Sequence, residues 1–171
     1  MRANTVSTED AFRQFSDTVS RDGLRSALAY LLGLTDFRYI AIFRGRGDKA
    51  AAAAYYDREQ PEVMAVDEVP ASATYCQLAI ESRAPFVTAN APRDPRLELH
   101  PARQAVQSYS GVPVMTPEGE LLGTLCLYDE VPRDPAQIDL ELIVTVASAI
   151  EQRGLVPPYP TRPSSPYSFS Y

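Results

Sequence analysis

A chain of 171 residues, 45% hydrophobic and 22% charged, has the length and composition to build one globular core. Its formal net charge is −6, and its basic residues are scattered arginines plus the single Lys49, so the basic stripe of a nucleic-acid-binding surface is missing. No apolar run approaches the roughly 20 residues of a membrane-spanning helix, Met1-Arg2-Ala3-Asn4 lacks the apolar segment of a secretory signal, and two cysteines fifty residues apart make no disulfide framework, which together predict a cytoplasmic protein.

Ser7 to Val19 opens with polar cap candidates and places Phe12, Phe15 and Val19 at helical spacing. A second helix begins at Asp22 or Gly23, gathers Leu24, Ala27, Leu28, Leu31 and Leu32 on one face, and stops at Gly33. Phe37 to Arg44 reads as a strand, Gly45-Arg46-Gly47-Asp48 as a hairpin tip, and Lys49 to Tyr56 as the return strand. Five successive alanines there have poor β propensity, but the hairpin signal before them favours a strand.

Asp57 to Pro70 reads as a polar loop, Ala71 to Ser82 as a helix, and Phe86 to Thr88 as a short strand. Pro92 and Pro95 keep Asn90 to Arg96 irregular, and a short helix is expected over about Pro101 to Gln107. Tyr109 to Met115 and Leu121 to Tyr128 form a strand pair joined by a Pro117-Glu118-Gly119 turn. The second of these strands is apolar on both faces, which places it mid-sheet with material above and below.

Asp134-Pro135 caps a helix to Gln152, with Gln137 at the capping-box position. Its apolar arc is wider than the roughly 100° that one sheet contact needs. That width predicts a homodimer, with Leu140, Ile143, Val144, Ala147 and Ile150 as interface candidates. The tail over 154–171 is rich in Pro, Ser and Tyr without periodicity and is expected to be flexible. The resulting organisation is an N-terminal helix over 1–21, a domain over 22–153, and that tail.

The most specific signal is a set of short motifs in a fixed order. They are Tyr75-Cys76, Asp94-x-Arg96-x-x-x-His100-Pro101, Tyr109-x-Gly111-Val112-Pro113 and Gly119-x-x-x-Gly123-Thr124-Leu125-Cys126-x-x-Asp129. Together they resemble the core signature of GAF domains over roughly Asp22 to Arg153. The resemblance implies an α/β (α+β) fold with a central antiparallel sheet of about six strands. It also implies terminal helices on one face and a loop-and-helix lid over a pocket on the other. For function it implies a non-enzymatic small-molecule sensor or regulatory module that acts in signalling through a partner in trans. GAF domains bind many ligands, and some have none known, so the fold alone does not choose one.

The resemblance puts Asp94, Arg96 and His100 in a loop over the pocket. There Arg96 suits an anionic ligand carrying a carboxylate or phosphate, and His100 suits the pocket mouth. The alternative is that Asp94 caps the turn and pairs with Arg96 to hold the loop closed. Tyr75, Tyr109 and Tyr128 are stacking candidates for a planar ligand, or core residues with a hydroxyl partner. Asp129 is a cap or a pocket acid. Cys76 is a pocket candidate, and with Cys126 it opens a redox reading, because some stand-alone GAF proteins reduce free methionine sulfoxide through a thiolate and a resolving cysteine.

The alternative for both thiols is burial as small hydrophobes. Gln77 follows Cys76 where bilin-bearing relatives often carry histidine, which argues against a covalent tetrapyrrole. The Asn-Lys…Phe…Asp-Glu pattern of cyclic-nucleotide GAF domains has no counterpart. One histidine and two distant cysteines give no zinc-like spacing, so no metal is expected. No nucleophile–base–orienter set is complete, so no catalytic residue is expected. Three functions remain open: ligand sensing, a dimerisation or protein-interaction module with its pocket filled, and thiol-dependent reduction.

Overall fold

The computed structural model describes residues 6–160 of the chain. Six strands make one antiparallel sheet: β1 (Tyr39–Arg46), β2 (Lys49–Asp57), β3 (Val69–Pro70), β4 (Phe86–Thr88), β5 (Ser108–Met115) and β6 (Leu121–Asp129). Their order is β3-β2-β1-β6-β5-β4, so β6 lies inside the sheet, as its two apolar faces require. Four α-helices accompany them: α1 (Thr8–Asp22), α2 (Leu24–Leu32), α3 (Cys76–Ser82) and α4 (Leu140–Gln152).

The alanine run does form β2. Ala50, Ala51 and Ala52 are buried and paired in register with Gly45, Arg44 and Phe43 of β1, and this ladder outweighs alanine's helical preference. The register jumps from Ile42↔Ala54 to Phe43↔Ala52, leaving Ala53 as the extra residue of a β-bulge. At Gly123 the opposing β1 backbone comes so close that an added Cβ would lie 2.3 Å from the Phe43 carbonyl oxygen. Only glycine permits that approach.

Alternation along the strands separates two cores. Ile40, Ile42, Val112, Val114, Leu125 and Leu127 face the helices and meet Phe15, Leu28, Leu31, Ile143, Val146 and Ile150. Ala41, Cys126 and Tyr109 face the opposite way, toward Tyr75, Cys76 and Leu97. Because Ala11, Phe15 and Val19 are buried in the helix-side core, the N-terminal helix read over 1–21 shares one interior with the rest of the chain.

Several elements differ from their sequence reading. The helix expected from Ala71 is split: a 3₁₀ turn covers Ala71–Ala73, Thr74 is extended (φ −119°, ψ 150°), and α3 starts at Cys76. Residues 101–105 form turns in place of a helix, because the Gln107 N–H already bonds the Asp129 carbonyl at 3.0 Å and draws the chain into β5. Asp134 caps only a 3₁₀ turn over Pro135–Gln137, and the extended Ile138 (φ −127°, ψ 138°) separates it from α4. The true N-cap is Asp139, whose carboxylate accepts from the Glu141 N–H at 3.0 Å. Gln137 makes no capping box; its Oε1 accepts from the Asp36 N–H at 2.6 Å.

The interface reading of α4 needs correction. Ile143, Ala147 and Ile150 are 1%, 3% and 0% exposed, whereas Leu140 and Val144 are 36% and 46% exposed. The second partner implied by the wide arc is α1 of the same chain, since α4 contacts both β5 and α1. The tail also needs correction over its described part. Leu155 and Val156 pack against the helix-side core, and Arg44 Nη1 donates to the Pro157 carbonyl at 2.9 Å. Arg46 stands 4.2 Å over the Tyr159 ring, and the Tyr159 hydroxyl bonds Glu68. The rest of the tail, 161–171, lies outside the described residues.

Candidate functional site

On the face away from the terminal helices, the sheet carries a row of tyrosines. Tyr39, Tyr128 and Tyr109 are direct cross-strand neighbours on β1, β6 and β5. Tyr39 and Tyr128 stack at 4.8 Å with 16° between their planes. The next row is small: Ala41, Cys126 and Gly111. Small residues there let α3 approach, and let the Tyr109 ring fold down so far that a Cβ on Gly111 would lie 2.2 Å from its hydroxyl. The group admitted by Gly111 is therefore the chain's own Tyr109.

Above these rows is a cavity of about 340 Å³. Its sheet side is Tyr39, Phe43, Tyr55, Tyr109 and Tyr128. Its roof comes from Val66, Asp67 and Val69, from Ala73 to Cys76, and from Ala102, Ala105 and Val106, with Glu130 at the edge. The expected lid over Asp94 to Gln107 thus supplies only its last part. The segment before α3, read as a plain polar loop, supplies the remainder.

Three of the seven pocket candidates line this cavity: Tyr75, Cys76 and Tyr109. Tyr75 is 2% exposed and donates from its hydroxyl to the Val106 carbonyl at 2.7 Å, tying α3's start to the roof. Burial pushes its phenol up to about 12, so it stays protonated. The Tyr109 hydroxyl donates to Cys76 Sγ at 3.2 Å.

Cys76 also meets the Cys126 thiol, so the fold joins two cysteines that the sequence separates. The bond with Cys126 pulls the Cys76 thiol below its ordinary value, helped by Tyr109 and opposed by burial. Burial pushes Cys126 well up. Both thiols are free and buried.

The other four candidates do not line the cavity. Asp94 accepts from the Thr88 hydroxyl at 2.7 Å and from Arg96 at its N–H (3.0 Å), Nε (3.0 Å) and Nη2 (2.7 Å). Those bonds, led by Arg96, hold the Asp94 carboxyl well below the usual carboxylate range. Arg96 also donates to the Val87 carbonyl and lies 4.5 Å over the Phe86 ring. The pair closes its own loop, and the anion-binding reading loses its cation. His100 Nδ1 accepts from the Ala102 N–H at 3.1 Å, and its ring stands 4.7 Å from that of Tyr75, behind the cavity wall.

Asp129 is 4% exposed and fastens the turn after β6. It accepts from Glu130 and Val131 N–H groups at 2.7 and 3.4 Å and from Arg133 Nε at 2.9 Å. Sequence reasoning missed Tyr39, Phe43, Tyr55, Asp67 and Glu130. The alternation Tyr39-x-Ala41-x-Phe43 along β1 could have found the first two. Among the described residues no group of three His, Cys, Asp or Glu is placed to hold a metal, and no helix is long and apolar enough to cross a membrane.

Known proteins share this architecture. Over 92 residues, 52% of the chain, the sequence is 33% identical to a cyclic di-GMP phosphodiesterase of Pseudomonas aeruginosa, a match spanning 16% of that protein. The chain is thus similar to a limited stretch of a much longer relative. The fold resembles the GAF domain of Acinetobacter phosphoenolpyruvate-protein phosphotransferase (18% identity, TM-score 0.66, covering 91% of this chain and 94% of that one). It also resembles a free methionine-R-sulfoxide reductase of Neisseria meningitidis (17%, TM-score 0.65, 85% and 87% covered). A third likeness is the chromophore-binding domain of the Stigmatella aurantiaca bacteriophytochrome (14%, TM-score 0.63, 88% and 60% covered). At these identities the likeness shows the fold alone. A GAF domain family model matches residues 16–152, which takes in the sheet, α2, α3, α4 and part of α1, and the chain belongs to the GAF domain family.

Proposed function

We propose that the chain is a non-enzymatic ligand-sensing GAF domain acting in signalling. The observation that carries this reading is the cavity of about 340 Å³ between the tyrosine row and the roof. That volume lies within the range of small-molecule sites, about 300–1,000 Å³, and its walls are mainly apolar and aromatic with few polar groups. The roof is tied to the C-terminal segment through Glu68 and Tyr159, which gives ligand occupancy a route to residues beyond α4. Native mass spectrometry of freshly purified protein tests the reading. A co-purified small molecule would appear as added mass and fragment to its class. A clean apo mass, with no shift on incubation with a metabolite collection, would favour an interaction module with an unused cavity.

A homodimer is part of the proposal, through Leu140 and Val144, which stand one turn apart on the exposed side of α4. Replacing both by aspartate is expected to give a monomer of unchanged fold in sedimentation. An unchanged dimer would remove α4 from the interface.

The contact between Cys76 and Cys126 favours a second reading, thiol-dependent reduction of free methionine sulfoxide. Turnover with a thiol reductant, lost in Cys76→Ser, would establish it and displace the non-enzymatic reading. No turnover in the unmodified protein would end it.

A further inference from the structure

The cavity's charge and its rings point to the chemical class of its ligand. Among the described residues, the side chains on its wall include the acids Asp67 and Glu130 and no lysine, arginine or histidine. The guanidinium beside Tyr39 and Glu130 at its edge is already engaged. Arg38 Nε and Nη2 each donate to Asp57 at 2.9 Å, and its Nη1 reaches both Glu59 and Glu130 only at 3.4 Å. One cation thus faces three carboxylates, and the local balance stays negative.

Three of the five wall tyrosines lean the same way. Tyr39 donates to Glu130 Oε2 at 2.8 Å, Tyr75 to the Val106 carbonyl at 2.7 Å, and Tyr109 to Cys76 at 3.2 Å. Their protons are committed to protein acceptors, which leaves oxygen lone pairs rather than O–H groups for a guest. An anion would therefore meet neither a cation nor these donors.

The rings meet one another at varied angles. Tyr39 and Tyr55 are 37° apart, Phe43 and Tyr128 51°, and Tyr75 and Tyr109 75°, so aromatic groups converge on the space from several directions. Ring faces carry negative electrostatic potential, and converging rings with nearby carboxylates are what a desolvated ammonium prefers. The chain already makes one such contact at the edge, where the Arg38 guanidinium lies 4.9 Å over the Tyr39 ring.

We propose that the cavity takes an organic cation, an ammonium group on a compact apolar body, held by the tyrosine cage with Glu130 as its counter-charge. The inference rests on the reading of this cavity as a ligand site. Three small probes of nearly one shape separate charge from fit: choline, the uncharged 3,3-dimethyl-1-butanol and the anionic 3,3-dimethylbutanoate. Binding is followed by NMR shifts of the protein and by tyrosine fluorescence, which no tryptophan obscures.

Choline is expected to bind about tenfold tighter than the alcohol, with the carboxylate weakest. Glu130→Gln is expected to weaken choline several-fold and leave the alcohol unchanged, at an unaltered thermal midpoint. Equal binding of choline and the alcohol, or preference for the carboxylate, would overturn the cation assignment while leaving the cavity a ligand site. If none of the three perturbs the cavity tyrosines at tens of millimolar, the cation assignment falls, while the cavity's role as a ligand site stands or falls by the native mass spectrometry.

Discussion

The two faces of this sheet are made by the same strands and built on opposite terms. On the helix side, Ile40, Ile42, Val112, Val114, Leu125 and Leu127 interlock with three helices, and each is 0 or 1% exposed. On the other side, alternate positions carry Tyr39, Ala41, Phe43, Tyr109, Gly111 and Cys126, and the covering layer is loops and one short helix. The first face is held by shape and burial. The second is held by named polar bonds: Tyr75 to Val106, Thr88 and Arg96 to Asp94, and Arg25 of α2, which donates to the Tyr55, Pro61 and Val63 carbonyls before the roof. A layer fixed by point contacts leaves a hollow beneath it more readily than a layer fixed by interdigitation.

Substitutions can break or sharpen that contrast. The largest effect is expected at Leu125, wholly buried at the centre of the helix-side core. Leu125→Ala should cost about 2–5 kcal/mol in urea unfolding. A loss below about 1 kcal/mol would mean that this face is no better filled than the other.

Gly111→Ala comes next, because its methyl would fall 2.2 Å from the Tyr109 hydroxyl. The ring must swing into the cavity and release Cys76, at a cost of about 1–3 kcal/mol. The NMR signals of Tyr109 should shift, and ligand binding should weaken. A variant that keeps both unchanged would show that the tyrosine cage is not tightly seated.

The polar fastening should show a pH signature. The Asp94 carboxyl is held below its ordinary value, about 3.9, chiefly by its bonds with Arg96. Its contribution is therefore present above that value and lost as pH falls through the depressed one. Asp94→Asn should be less stable than the unmodified chain at pH 7, and the gap should narrow below about pH 4. A gap independent of pH would mean that the carboxylate's charge is not what closes the loop.

The smallest effect is expected from Tyr128→Phe, which keeps the ring stacked on Tyr39 and removes only a hydroxyl at the cavity wall. Unfolding free energy should change by less than about 1 kcal/mol. A larger loss would mean that this hydroxyl helps to hold the hollow face.

Much of the fold was legible because its signals are local. The Gly45 to Asp48 hairpin tip, the doubly apolar β6 and the ordered glycines of β5 and β6 each report a strand or turn that tertiary contacts then confirm. The site was less legible. Asp94, Arg96 and Asp129 are motif residues, yet their polar atoms bind the chain itself. A motif marks that a side chain is needed and does not say whether a ligand or a turn needs it. Tyr39 and Tyr55 lie outside the motifs but enter the cavity, because register sets them beside Tyr128 and Ala41.

Local chemistry written along the chain determined five of the six strands, the two hairpin turns, the buried helix faces and the GAF family. Three matters were left to tertiary structure. They are which partner fills α4's wide arc, which loop roofs the sheet, and whether Cys76 and Cys126 meet. Each depends on distances between residues far apart in sequence, and strand register and helix docking set those distances only once the whole core has closed.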